Sequence, residues 1–224
     1  MKLAWKKGTE MPSNKLAYSG RTLIRLEKFL PVFEQNIHRY HDTVLTQTRK
    51  NKTYHEIVRK ARLYLTHFIK VMNMAIYRGD LPAETRAFYG LAIDDSSIPV
   101  LSTENELLSW GRRIIEGEEY RIKKSGSPIT NPTIAVVKVR FGSFLDALNN
   151  HKALTQKTQE FSGKLNQLRD EADDIILNIW NEVESSYSQL PDDQKKELCE
   201  SYGLVYFYRK SELGKASKTR LSDT

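Results

Sequence analysis

The chain has a single cysteine, Cys199, in 224 residues. No internal disulfide can staple it, and a reducing compartment is expected. Glycine is scarce too, at 11 residues. None falls in Gly-x-x-x-x-Gly-Lys or Gly-x-Gly-x-x-Gly, the loops that bring backbone N–H groups against phosphates. The Gly-x-Ser-x-Gly elbow that exposes a nucleophilic serine is also missing. Long apolar runs are absent: the longest is Leu204 to Tyr208, against the roughly 20 residues a bilayer-spanning helix needs. The first 20 residues hold four lysines and no continuous apolar stretch, so no secretory leader is expected. No membrane association and a cytoplasmic location are the expectations.

Metal-binding and nucleophilic patterns are equally thin. No Glu-x-x-His occurs, which is the di-iron signature of helical bundles. His55-Glu56 begins like a zinc-protease motif, but Arg59 stands where its second histidine belongs. Glu34, His38 and His41 are spaced to share a helix face, with no matching ligands in the second half of the chain. Cys199 lies between Glu197 and Glu200, and acidic neighbours raise a thiol's pKa rather than activate it. The sequence therefore predicts no catalytic, metal or cofactor site, and a non-enzymatic protein.

What is present is a helical pattern. The composition is 39% hydrophobic and 28% charged, and a chain of this length buries roughly 70% of its unfolded surface. Apolar residues recur in steps of three and four at Leu23, Leu26, Leu30, Phe33, Ile37, Tyr40 and Val44, and again from Ile57 through Ala61, Leu65, Phe68 and Met72 to Ile76. A third run is Ile134, Val137, Phe141, Phe144 and Leu148; a fourth runs from Leu165 and Leu168 to Val183 and Tyr187. Each stripe marks one buried side of a helix.

The first two runs map onto the second two at an offset of 111 residues. Both halves continue into Leu-Pro (Leu81-Pro82, Leu190-Pro191) and then Tyr-Gly-Leu (Tyr89-Gly90-Leu91, Tyr202-Gly203-Leu204). A tandem duplication of a helical hairpin is the reading. A competing offset of 109, which aligns Leu45-Thr46-Gln47 with Leu154-Thr155-Gln156, is rejected because it puts Asn166, Asp170, Asp173 and Asp174 on the buried stripe. The fold class expected is all-α: a four-helix bundle of two pseudo-repeated hairpins with a connecting helical insertion. The expected layout is a basic arm over 1–20, one bundle domain over 21–208 (repeat 21–91, insertion 92–131, repeat 132–204), and a basic tail over 209–224. In the insertion, Thr103 and Glu106 form a capping box for a helix to about Lys123, with Leu107, Leu108, Trp110, Ile114 and Ile115 inward.

Three local conflicts arise. Pro31 should kink or split the first run. Thr133 to Phe141 is strand-like in propensity, but Asn131-Pro132 offers a cap and a first-turn proline, so helix is preferred. Leu204 to Arg209 is left unassigned.

The net charge is +7. Residues 1–25 carry six Lys and Arg against Glu10, and 209–224 carry five against two, leaving −1 for everything between. Basic ends on a near-neutral body favour solvated tails over a nucleic-acid arm. Within the body, Arg49, Lys50, Lys52, Arg59, Lys60 and Arg62 face only Glu56 in their stretch. At the repeat offset, Arg59, Lys60 and Arg62 become Asp170, Glu171 and Asp173, with Asp174 adjoining. This inverted charge has three readings: pairing within the bundle, docking on a second molecule, or phosphate binding by the basic set alone. The functional expectation is an interaction protein, with a protein partner or a homo-oligomer. The alternative is a nucleic-acid-binding module using the same cations and the tails.

Overall fold

A computed structural model describes residues 1–207. The basic tail at 209–224, and the end of the unassigned Leu204–Arg209 segment, lie outside the described residues. Within them the fold is all-helical, without a strand. The elements are α1 (Lys2–Glu10), a 3₁₀ turn at Ser13–Lys15, α2 (Gly20–Tyr77), a 3₁₀ segment at Ala83–Tyr89, α3 (Glu104–Lys123), α4 (Ile134–Ser186) and α5 (Asp192–Ser201). Leu204 to Phe207 is non-helical.

The expected hairpins are replaced by two long helices. The stripes ending at Val44 and beginning at Ile57 lie on one uninterrupted helix, α2, and the third and fourth stripes lie on α4. The reason is local. Residues 45–56 contain no glycine or proline. Thr46 and Thr48 donate their hydroxyls back to Asp42 O and Val44 O at 2.8 and 2.9 Å, the way threonines satisfy themselves inside helices. Nothing in the stretch ends a helix, so the helix does not end. Pro31 does not split α2 either. It is exposed, while Leu26, Phe29 and Leu30 beside it are buried. Burying each such side chain contributes about 1.5–3 kcal/mol, which together outweighs the ~3 kcal/mol cost of an internal proline.

α4 is helical from Ile134, as preferred over strand. Its start falls later than the Asn131-Pro132 cap implied: Asn131 is left-handed (φ 61°), and Thr133 O accepts the N–H groups of Val136 and Val137. The capping box of α3 is complete. Glu106 N–H donates to the Thr103 hydroxyl at 3.2 Å, and Thr103 N–H donates to the Glu106 carboxylate at 2.8 Å. Leu107 and Ile114 of α3 are fully buried.

The two Leu-Pro and Tyr-Gly-Leu signals mark matching structures. Pro82 and Pro191 each cap the N-terminus of a short helical segment. Gly90 and Gly203 both take left-handed backbone (φ 70° and 94°). The next residue's N–H then closes onto the carbonyl five back, Leu91 to Arg86 and Leu204 to Cys199, a helix stop that favours glycine. Tyr89 and Tyr202 are both buried.

The chain forms two compact units, and their boundaries at 41/42 and 159/160 match none of the expected limits. The first comprises residues 1–41 and the described residues from 160 onward. Its core joins Leu26, Phe29 and Leu30 of α2 to Ile175, Ile179 and Val183 of α4. The first twenty residues, expected as an arm, are folded into it. Ala4, Ala17 and Tyr18 are buried, and Tyr18 donates its hydroxyl to Ala4 O at 2.7 Å. Glu182 of α4 accepts from Ser19 N–H and the Thr22 hydroxyl at 2.5 and 2.7 Å, satisfying donors at the start of α2.

The second unit is residues 42–159. Here α2 and α4 run antiparallel: Gln47 bonds Thr155 and Thr158, Tyr54 stacks on His151, and Arg140 lies over the Tyr64 ring. α3 packs on both, with Gly111 in the close approach to Phe141. A buried polar cluster ties α3 to the loop after it. Glu118 is fully buried and accepts from Arg121 Nε at 2.8 Å, Arg121 Nη2 at 2.9 Å, the Tyr89 hydroxyl at 2.5 Å and Ile129 N–H at 3.0 Å. Every acceptor site on this carboxylate that matters is used, which is the condition for burying a charge.

Candidate interaction surface

Both charged sets predicted from sequence sit on helices, and each unit holds one of them. Arg49, Lys50, Lys52, Arg59, Lys60 and Arg62 lie on α2 in the second unit. Asp170, Glu171, Asp173 and Asp174 lie on α4 in the first. Five of the six cations are exposed, and among the described residues none of those five pairs with a carboxylate. Arg62 departs from the set. It is half-buried and donates Nη2 to Ser102 O at 2.9 Å, so it serves the segment leading into α3. All four acids are exposed. Glu171 approaches Arg25 at 3.9 Å; Asp170, Asp173 and Asp174 make no ion pair among the described residues.

The location of the basic surplus also changes. Residues 42–159 carry 18 Lys and Arg against 12 Asp and Glu, a net +6. The described part of the other unit carries 12 against 14, a net −2. The N-terminal lysines contribute to packing: Lys2 pairs with Glu34 at 2.6 Å, and Lys7 lies over the Tyr202 ring. Arg49, Lys50, Lys52, Arg59 and Lys60 of α2 are exposed and make no ion pair among the described residues.

Beside them runs a groove of about 430 Å³ that sequence reasoning missed. Lys50, Thr53, Tyr54 and Ile57 of α2 form one wall, and Ala147, Asn150, His151 and Leu154 of α4 form the other. Its only Lys, Arg, Asp or Glu is Lys50. The Tyr54 and His151 rings stack at 4.3 Å between centroids, nearly parallel. The Tyr54 hydroxyl donates to Glu104, the first residue of α3. Burial, reinforced by that carboxylate, holds the phenol well above its ordinary pKa, so Tyr54 remains a neutral donor at physiological pH. The signal for this groove was present as two stripes spaced i, i+3, i+4, i+7. Recognising it required knowing that α2 pairs with α4 at this level, which the hairpin reading did not allow.

His38 and His41 are exposed, and no group of three or more His, Cys, Asp or Glu among the described residues is arranged to hold a metal ion. Cys199 is fully buried. No described helix is long and apolar enough to cross a membrane. Comparison with protein-family models, curated proteins and solved structures found no match to the chain.

Proposed function

We propose that this is a non-enzymatic helical interaction protein, arisen by duplication, that associates with itself through oppositely charged faces. The observation carrying the proposal is the exposed, unpaired Arg59 and Lys60 of α2 set against exposed acids at the repeat-equivalent positions of α4: Arg59 with Asp170, which makes no ion pair among the described residues, and Lys60 with Glu171, whose one ion pair there is the 3.9 Å approach to Arg25. Unpaired charges of opposite sign steer encounter and set specificity more than they hold a fold. The duplication is supported by shared burial at Leu26 and Val137, Leu30 and Phe141, Ala61 and Ala172, Phe68 and Ile179, and Met72 and Val183. The matched Tyr-Gly-Leu stops support it further. The repeated element is then a long helix with its short helical sequel, in place of the hairpin and four-helix bundle first expected.

The test is light scattering on the full chain at low and high salt. Association at low salt that falls with ionic strength is expected. Arg59→Glu with Lys60→Glu abolishes it, and mixing that chain with one carrying Asp170→Lys and Glu171→Lys restores it. A monomer under all salt conditions overturns the proposal.

A second reading is favoured by the +6 of residues 42–159: the same cations bind the phosphates of a nucleic acid. Adding a generic oligonucleotide to the same measurement separates the two. Salt-sensitive binding of the oligonucleotide by a chain that is otherwise monomeric selects the second reading.

A further inference from the structure

We infer that the α2–α4 groove beside Lys50 is the seat for the acidic stripe of α4 from a second copy of the chain. This rests on the self-association reading and names its docking site. Each groove wall presents residues at i, i+3, i+4 and i+7, one face of each helix. Two antiparallel helices presenting such faces leave a channel that accepts the side-chain ridge of a third helix. Only α2 and α4 line it, so it is open to an incoming helix. Its apolar surfaces come from Ile57, Ala147 and Leu154, its one full charge is Lys50, and Arg49 and Lys60 follow on the exposed side of α2.

The ridge that fits lies on α4 itself. Asp170, Asp173, Asp174 and Leu177 repeat the same i, i+3, i+4, i+7 spacing, and all are exposed. Leu177 is 56% exposed, an apolar side chain at the end of an acidic face. The span from Asp170 to Leu177 equals the span from Lys50 to Ile57. Asp170 on Lys50 therefore puts Leu177 over Ile57 and Ala147. The groove's one full charge is positive and the stripe's three are negative, so charge selects the acidic stripe. The contact is heterologous, joining different patches of the two copies.

The experiment is directed cross-linking of full-length chains. One chain carries Asn150→Cys in the groove and the other Leu177→Cys on the stripe; native Cys199, fully buried, stays out of reach. On mild oxidation at low salt the mixed disulfide should exceed both homodimers, and replacing Leu177→Cys by Asn178→Cys should reduce it. Mixed product no greater than the homodimers overturns the inference. So does protection of the Asn150→Cys thiol by an oligonucleotide with no effect of a second copy. A Leu177→Ser chain separates this inference from the broader reading. Losing one anchoring leucine should weaken association about tenfold or more. Undiminished, salt-sensitive association of that chain refutes the groove while leaving charge-driven self-association standing; an unsubstituted chain that never associates refutes both.

Discussion

Substituting Glu118 tests whether the buried cluster with Arg121 and Tyr89 anchors the second unit. Arg121 is 4% exposed and Tyr89 1%, so neither can turn to water when its partner changes. Glu118→Gln keeps the shape but removes the charge, and it places an amide N–H₂ where donors already point. The Arg121 guanidinium then sits buried without a counter-ion, at a cost of about 3–5 kcal/mol. Tyr89→Phe removes the hydroxyl's donation to the charged Glu118 and the longer bond it accepts from Arg121 Nε, and costs about 1.5–3 kcal/mol. Glu118→Leu leaves Arg121 without a counter-ion, holding only Ser127 O and the Tyr89 oxygen, and takes the acceptor from the Tyr89 hydroxyl and Ile129 N–H, so it ranks as the most damaging. The assay is urea unfolding followed by the fluorescence of Trp110, the one tryptophan of residues 42–159, with Trp5 and Trp180 replaced by phenylalanine. At roughly 2–4 °C per kcal/mol for a chain of this size, Glu118→Gln should also lower Tm by about 6–20 °C. The reasoning is refuted if Glu118→Gln costs less than Tyr89→Phe, since the carboxylate would then not be holding the charge of Arg121.

Two further outcomes follow from packing and titration. A Cβ at Gly117 would lie 2.3 Å from the carbonyl oxygen of Phe88 and 2.9 Å from its carbon. Gly117→Ala should therefore destabilise by about 1–3 kcal/mol, despite the ~1 kcal/mol that alanine normally gains over glycine in a helix; a net gain in urea midpoint refutes the close approach. Burial above all, then Tyr202, Glu27 and Glu182, pushes the Tyr18 hydroxyl up to about 12 from 10.0. Folding thus favours the neutral phenol. That contribution is whole below pH 10 and is lost as pH rises through about 12. Tm should fall over that window, and less steeply in Tyr18→Phe; identical slopes count against it.

The apolar stripes were legible because helical periodicity is imposed by burial on one side, and the named positions are buried or half-buried except Ile37, which is exposed. Leu107 and Ile114 on α3, and Thr103 with Glu106 at its start, could be read for the same reason: each depends on residues a few positions apart. The missing turn in α2 could not. An interruption between two stripes looks alike whether the chain reverses or the partner changes, and only the absence of glycine and proline in 45–56 hinted at continuity. Pro31 misled in the opposite direction, because a local penalty was set against burial that no local window contains. The groove needed long-range pairing, Tyr54 with His151 and Gln47 with Thr155, which no spacing along one helix reveals. The charged sets were visible as runs, yet only the folded chain separates Arg62, spent on Ser102, from the five cations beside it.

Residues 42–159 are one continuous piece of chain, whereas the other unit is assembled from both ends of the polypeptide. During synthesis, every partner in the continuous piece is made, and emerges from the ribosome, ahead of residues 160 onward, so its folding can precede the rest. Joining residues 1–41 to residues 160 onward across 118 unstructured intervening residues would cost about 4 kcal/mol in closure entropy. Once Gln47 is bonded to Thr155 and Thr158, the two exits from that piece are already neighbours and most of that cost is gone. The late-made unit thus inherits its pairing from the early one, and substitutions that slow the continuous piece should delay both.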